Sequence, residues 1–163
     1  MYLLDANTYI QAKNLYYQMS FCPAYWAWLD QQYAISALAS IRTVYEELAD
    51  GDDELSDWVK GRKDHFLPVS EDDIQQKFAE IAQYIVELEG KKQEFVAEFL
   101  SKADPWLIAA AAVMGGTIVT HEIPVPANSA KVKIPNICDS FGIPYVTTFQ
   151  LLNQLEARFV LSP

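Results

Sequence analysis

Tyr2-Leu3-Leu4-Asp5-Ala6-Asn7-Thr8 is the stretch that decides the fold. Three apolar residues make a short buried strand, and the pattern then turns toward helical spacing. An open α/β sheet binds its ligands in the crevice outside the carboxyl ends of its strands. An aspartate delivered there by the first strand is a candidate catalytic carboxylate. The same residue type at the same point also caps helices by accepting a hydrogen bond from a first-turn N–H. Asp5 alone supports either reading, and its weight comes from three acids that follow farther along.

Working outward, Pro23 introduces a helix over residues 24–33, after an aromatic-rich loop. Ser40 reads as the N-cap of a helix running to residue 49 and closed by Asp50-Gly51. Asp52 or Asp53 opens a short helix around Leu55, Trp58 and Val59, and Phe66-Leu67-Pro68-Val69 reads as the second strand. Ser70 with Asp73 opens the longest helix, whose apolar residues Ile74, Phe78, Ile81, Ile85 and Leu88 step by four, three, four and three. That stripe favours core packing in a helical hairpin with Phe95, Phe99 and Leu100; a groove for a partner helix is the other reading. Asp104 is the expected N-cap of a further helix, with Pro105 at its first position, small residues from Ala109 to Ala112 and Gly115-Gly116 at its end. Thr117-Ile118-Val119-Thr120 reads as the third strand. Residues 131–134 and Tyr145-Val146 are two more extended runs around a helix at 137–141, and a last helix carries Phe149, Leu151, Leu152, Leu155 and Phe159. Strands alternating with helices predict a three-layer α/β/α fold with a central, mainly parallel sheet.

The chain has 163 residues, of which 51% are hydrophobic, enough for one compact domain over 1–163. No stretch approaches the ~20 apolar residues of a membrane span. The start is strand-like and has no basic n-region, so the expectation is a cytoplasmic protein without a signal peptide. Cys22 and Cys138 are too isolated for a disulfide framework or a zinc ribbon and read as buried thiols. The net charge of −10, from 12 basic and 22 acidic residues, argues against a protein that coats nucleic acid through a basic surface. It leaves room for a nuclease that meets phosphates through cations held by carboxylates, and for a basic partner protein. A strongly acidic surface is most often a solubility device.

Four acids fall where such a sheet presents its active edge. Asp5 ends the first strand, Glu122 follows the strand at Thr117, Asp104 begins a helix, and Glu47 lies in the helix after Ser40. In that helix Ile41, Val44, Tyr45 and Leu48 mark the buried face. At ~100° per residue Glu47 sits at its border while Glu46 points to solvent. Taken singly, Asp104 reads as a helix cap and Glu47 as a solvated helix residue. Taken together, clustered carboxylates repel and drive one another to bind protons, a conflict that a hard divalent cation with oxygen ligands removes.

The runs Leu3-Leu4-Asp5-Ala6-Asn7-Thr8, Glu47-Leu48, Asp104-Pro105-Trp106-Leu107-Ile108-Ala109-Ala110 and Ile118-Val119-Thr120-His121-Glu122 occur in this order across nearly the whole chain. Together they resemble the PIN (PilT N-terminus) domain, a family of metal-dependent ribonucleases. Many small bacterial and archaeal members are the VapC-like toxins of type II toxin–antitoxin pairs. The resemblance implies a PIN-like nuclease domain in which Asp5, Glu47, Asp104 and Glu122 hold Mg²⁺ or Mn²⁺, while Asn7 and Thr120 steady the cluster by hydrogen bonds. It implies hydrolysis of RNA phosphodiesters by metal-activated water, with no covalent enzyme intermediate. A cognate antitoxin that blocks the acidic cleft and a homodimer are the implied partners. The chain departs from the family pattern twice. Where the family commonly has Asn or Asp, often followed by Asp-Phe, this chain has Glu122 and then Ile123-Pro124-Val125, which leaves Glu122 or Asp139 as the fourth ligand. A helical insert at about 70–102 sets it apart from the smallest toxins. The rival readings are a PIN-like nuclease of RNA processing or repair and a degenerate domain that binds RNA or protein without cutting.

Other signals are weaker. His121-Glu122 lacks the second histidine of a zinc helix, having Val125 in its place and a helix-breaking Pro124. His65 reads as a surface residue. The aromatic run Tyr16, Tyr17, Phe21, Tyr25, Trp26 and Trp28 reads as core, with a base-stacking shelf or a protein interface as the alternatives. Lys13, Arg42, Lys131 and Lys133 are candidate phosphate contacts, although a solvent-facing strand edge explains the alternation of Lys131 and Lys133 more simply.

Overall fold

The computed structural model describes residues 1–161. Five parallel strands form one sheet: β1 (Tyr2–Leu4), β2 (Leu38–Ile41), β3 (Phe66–Leu67), β4 (Thr117–Val119) and β5 (Tyr145–Val146), in the order β3-β2-β1-β4-β5. β1 is central, with Leu3 opposite Ala39 on one side and Ile118 on the other. Leu3, Leu4, Ile118 and Val119 are all fully buried, as expected of strands covered on both faces.

The chain leaves β1 through α1 (Ala6–Asn14) and α2 (Pro23–Ala34) to reach β2, then passes through α3 (Arg42–Ala49) and α4 (Glu54–Lys60) to β3. It then crosses back over β1 through α5 (Asp72–Glu87), α6 (Gln93–Ser101) and α7 (Asp104–Met114) to β4. α8 (Ile134–Phe141) leads to β5, and α9 (Thr148–Gln154) follows. Right-handed crossovers that run in opposite directions place their helices on opposite faces. The packing agrees: α1, α3 and α4 pack together, while α7 packs against α5, α6 and α8. The result is the expected three-layer α/β/α fold. The direction reverses between β1 and β4, and the crevice beyond their carboxyl ends is the switch point where such sheets bind ligands.

Several elements differ from the sequence reading. Residues 38–41 form a strand, so Ser40 is not a helix N-cap; its hydroxyl is buried and donates to the Leu4 carbonyl at 2.6 Å. A serine before an apolar helical stripe imitates a cap, and only the neighbouring strand reveals its acceptor. The long helix starts at Asp72 rather than Ser70 and its N-cap, Glu71, makes no side-chain bond. Its stripe is buried at Ile74, Ile81 and Ile85, and the helix packs chiefly on α7, where Phe78 stacks on Trp106 with centroids 3.7 Å apart. Ala103, not Asp104, is the N-cap residue of α7, and the helix ends on Gly115 in the left-handed conformation that favours glycine. Residues 131–133 join no strand; the last of the run, Ile134, begins α8.

Tyr25, Trp26 and Trp28 are buried as the core reading predicts, while Tyr16 and Phe21 are exposed. Cys138 is buried and Cys22 half-buried, both as free thiols. His65, expected at the surface, is half-buried. Its ring stacks on Tyr33 with centroids 3.9 Å apart, and its Nδ1 lies 3.9 Å from Asp30, which also pairs with Arg62. The charged residues Lys63 and Asp64 beside it in sequence hide this, because the short 3-10 turn at Lys63–His65 aims the imidazole inward. Among the described residues no helix is long and apolar enough to cross a membrane.

The insert's packing has a measurable consequence. Ile81→Ala or Ile85→Ala empties a fully buried site and should cost about 2–5 kcal/mol in urea unfolding, whereas the exposed Val86→Ala should stay within about 0.5 kcal/mol of the parent.

Candidate active site

Asp5 ends β1 and caps α1 at once. Its Oδ1 accepts from the Thr8 backbone N–H at 2.9 Å and from the Thr8 hydroxyl at 3.3 Å. Its Oδ2 accepts from the Thr120 hydroxyl, just beyond β4, at 2.5 Å. The carboxyl is buried, and burial pushes its pKa up to about 6 against the pull of the Thr120 and Thr8 hydrogen bonds, with Glu122 adding to the rise. Capping and cluster membership, alternatives in the sequence, coexist on different oxygens.

Asp104 occupies the first turn of α7, and its carboxylate accepts no hydrogen bond among the described residues. It is not the cap that its sequence position suggests. The N-terminal N–H of Ala103 is bonded instead by Glu47 Oε1, from α3, at 2.7 Å. Burial raises the Asp104 pKa to about 7, with repulsion from Asp5, Glu122 and Glu47 next in order and Lys102 opposing. Those causes place Asp5, Glu122 and Glu47, from β1, the end of β4 and α3, around Asp104 at the switch point.

The cluster's outer members are engaged. Glu122 accepts from Lys133 Nζ at 2.8 Å and from the Ile134 N–H at 2.8 Å, and Thr120 Oγ1 accepts from the Glu122 N–H at 3.1 Å. Glu47 is held by Ala103. Consistent with this, no three of the acids converge on one point as a single coordination shell among the described residues. The donor chemistry nevertheless fits a hard cation. Asp104 is a mostly buried carboxylate with no hydrogen-bond donor, next to Asp5 and Glu122, and Mg²⁺ commonly takes one or two carboxylates and keeps several waters.

Two other candidates lie apart. Asn7 is exposed and makes no hydrogen bond to the cluster among the described residues; Thr8, one residue on, supplies those bonds. The Asp-x-x-Thr spacing of an N-cap and its third helical residue was the available signal for Thr8. Asp139 is exposed on α8, and its charge bears on Cys138 and Tyr145 rather than on Asp5 or Asp104. The sequence reading also passed over Lys102, whose neighbours include Glu98, Asp104 and Glu47. Of the candidate phosphate contacts, Lys13 pairs with Asp53 and Arg42 lies over Tyr45, whereas Lys133 joins the acid site.

Beside Asp104 and Glu122 opens a cleft of about 220 Å³ walled by Phe95 and Phe99 of α6 and by the segment 131–133. The helical insert thus forms one side of the site.

The chain belongs to the family described as Domain of unknown function (DUF4411), whose model matches residues 2–159. No curated protein and no solved structure matches it.

The raised Asp104 pKa fixes the sign of a pH effect. The unfolded chain releases this proton near 3.8 and the folded chain near 7, so ionisation lowers stability progressively as pH rises across that window. Asp104→Asn should therefore stabilise the metal-free protein at pH 8, by up to about 4 kcal/mol at about 1.4 kcal/mol per pKa unit, with the gain fading toward pH 4. Thermal unfolding in EDTA at both pH values tests this, and an unchanged or lowered midpoint at pH 8 would contradict the buried, repelled carboxylate.

Proposed function

We propose that this protein is a PIN-like, divalent-metal-dependent endoribonuclease, and that its biological role is that of the toxin in a type II toxin–antitoxin pair. The observation that carries the enzymatic reading is the gathering of Asp5, Glu47, Asp104 and Glu122 at the β1/β4 switch point, where burial, with Glu122 adding, raises the Asp5 pKa and burial with repulsion from the other three raises that of Asp104. Holding unneutralised carboxylates in such a place is costly, and active sites are where such costs are concentrated. The toxin role rests on the family resemblance alone.

Asp5 and Asp104 are the residues that would hold Mg²⁺ or Mn²⁺, with Glu122 and Glu47 at its margin. The cation supplies positive charge against the scissile phosphate and makes a water molecule more acidic. Thr8 and Thr120 fix the Asp5 carboxylate so that it does not rotate as its charge is neutralised. Glu47 braces the first turn of α7 and so fixes where Asp104 points. Lys133 holds Glu122 in place and brings a positive charge to the edge where an anionic substrate enters.

Purified protein incubated with mixed single-stranded and structured RNAs should cut in Mg²⁺ or Mn²⁺ and not in EDTA. Asp5→Asn and Asp104→Asn should fall to background, and Thr120→Val should lose roughly 10–100-fold in metal affinity or activity, the usual cost of removing a bond that orients a ligand. Failure of folded wild type to be stabilised by Mn²⁺ would favour the degenerate, binding-only alternative. Induced expression without a cognate antitoxin should arrest growth, and Asp5→Asn should abolish the arrest. Arrest-free growth with soluble wild type present would leave a nuclease of RNA processing or repair.

A further inference from the structure

The protein carries 12 basic residues against 22 acidic ones, yet three lysines, Lys102, Lys131 and Lys133, line the cleft beside Asp104 and Glu122. They come from two parts of the chain. Lys102 ends α6, and Lys131 and Lys133 lie on the segment between β4 and α8. Neutralising the acids does not account for all three. Lys133 pairs with Glu122 at 2.8 Å and Lys102 with Glu98 at 2.7 Å, but Lys131 is exposed and makes no ion pair among the described residues.

The segment that carries Lys131 and Lys133 is braced. The Lys92 N–H donates to the Ala130 carbonyl at 3.2 Å. Lys91 Nζ donates to the carbonyls of Ser129 and Ala127 at 2.7 and 3.3 Å. Asn136 clamps Val125 through both its N–H and its carbonyl, at 2.9 and 2.8 Å. The helical insert and the residues after Glu122, two separate oddities of the sequence, therefore build a single wall. A wall fixed before binding spares the ordering cost that loose lysines would incur.

We propose that Lys102, Lys131 and Lys133 form a phosphate-binding rim that seats the sugar–phosphate backbone of a single-stranded nucleic acid against the acid site. The inference rests on the nuclease reading above and names how that site takes hold of its substrate. An ammonium group has three donors, so Lys133 can keep Glu122 and still donate to a phosphate oxygen. Lysines acting as point charges on phosphates give binding that is weakly dependent on base sequence and strongly dependent on salt. The cleft lines those charges up in the same wall as Asp104 and Glu122, and the overall charge of −10 disfavours nucleic acid on the rest of the surface.

The test is fluorescence anisotropy of a labelled ten-nucleotide single-stranded RNA with the whole protein in EDTA, where nothing is cut, over a salt series. Lys131→Glu and Lys102→Ala should each weaken binding by roughly tenfold and lower the log–log salt slope by about 1, the signature of one lost phosphate contact. Lys131→Arg should restore binding, and Lys77→Glu, on the outer face of α5, should leave it unchanged. Lys131 is exposed, so its charge reversal should not alter the unfolding midpoint. Equal affinity and slope for wild type and both rim variants would overturn the rim, as would wild type that binds a poly-glutamate peptide but no RNA. The same variants assayed for cleavage in Mn²⁺ separate the two readings. Cutting with unchanged KM discards the rim and keeps the nuclease, whereas wild type that neither cuts nor binds Mn²⁺ but binds RNA through the lysines in EDTA discards the nuclease and keeps the rim.

Discussion

The buried Asp5 carboxylate ties together the two strands between which the sheet reverses direction. One oxygen takes the Thr8 N–H and hydroxyl at the start of α1, and the other takes the Thr120 hydroxyl beyond β4. The single Thr8 hydroxyl proton is shared between the first of these oxygens and the nearer Val119 carbonyl at 3.0 Å, so helix, strand and carboxylate are linked through one side chain. A buried acid left without those donors would lose several kcal/mol more to desolvation, which is why both threonines are fully buried around it. The rest of the site is placed relative to this fixed point.

α7 approaches that point by a different device. Its alanine run packs close to the sheet, and its first turn is capped from outside by Glu47 rather than by its own residues. That arrangement leaves the Asp104 carboxylate without a hydrogen-bond donor and facing Asp5 and Glu122. Packing energy from α5, which lays its apolar stripe along α7, holds the repelling groups together. The helical insert is thus structural support for the acids on one side and the wall of their cleft on the other.

Stability and chemistry pull against each other at this edge. Burial and repulsion raise two carboxyl groups toward neutrality, which weakens the metal-free fold near neutral pH. Under the proposed nuclease reading, a divalent cation bound there would remove that penalty. Lys102 and Lys133 offset part of the repulsion without removing it, since each is also engaged by a glutamate.

Much of this was legible in the residues. The apolar run ahead of Asp5 marked β1, the β-branched run Thr117–Thr120 marked β4, the step pattern of Ile74, Ile81 and Ile85 marked α5, and Asp5, Glu47, Asp104 and Glu122 could be named because residues at strand ends and helix borders reach the edge of an α/β sheet. The sequence by itself determined the α/β class, strands β1, β3, β4 and β5 and the inventory of acids, because hydrophobic periodicity and end-of-element residues are local properties. Tertiary structure alone decided that Ser40 lies in a strand, since its acceptor belongs to Leu4; that Glu47 caps α7; and that Lys133 meets Glu122. Each of those outcomes is a hydrogen bond whose partner is chosen by geometry rather than by residue type. Where the partners lie 36, 56 or 11 residues apart, no local pattern announces them, and only the folded chain brings donor and acceptor within reach.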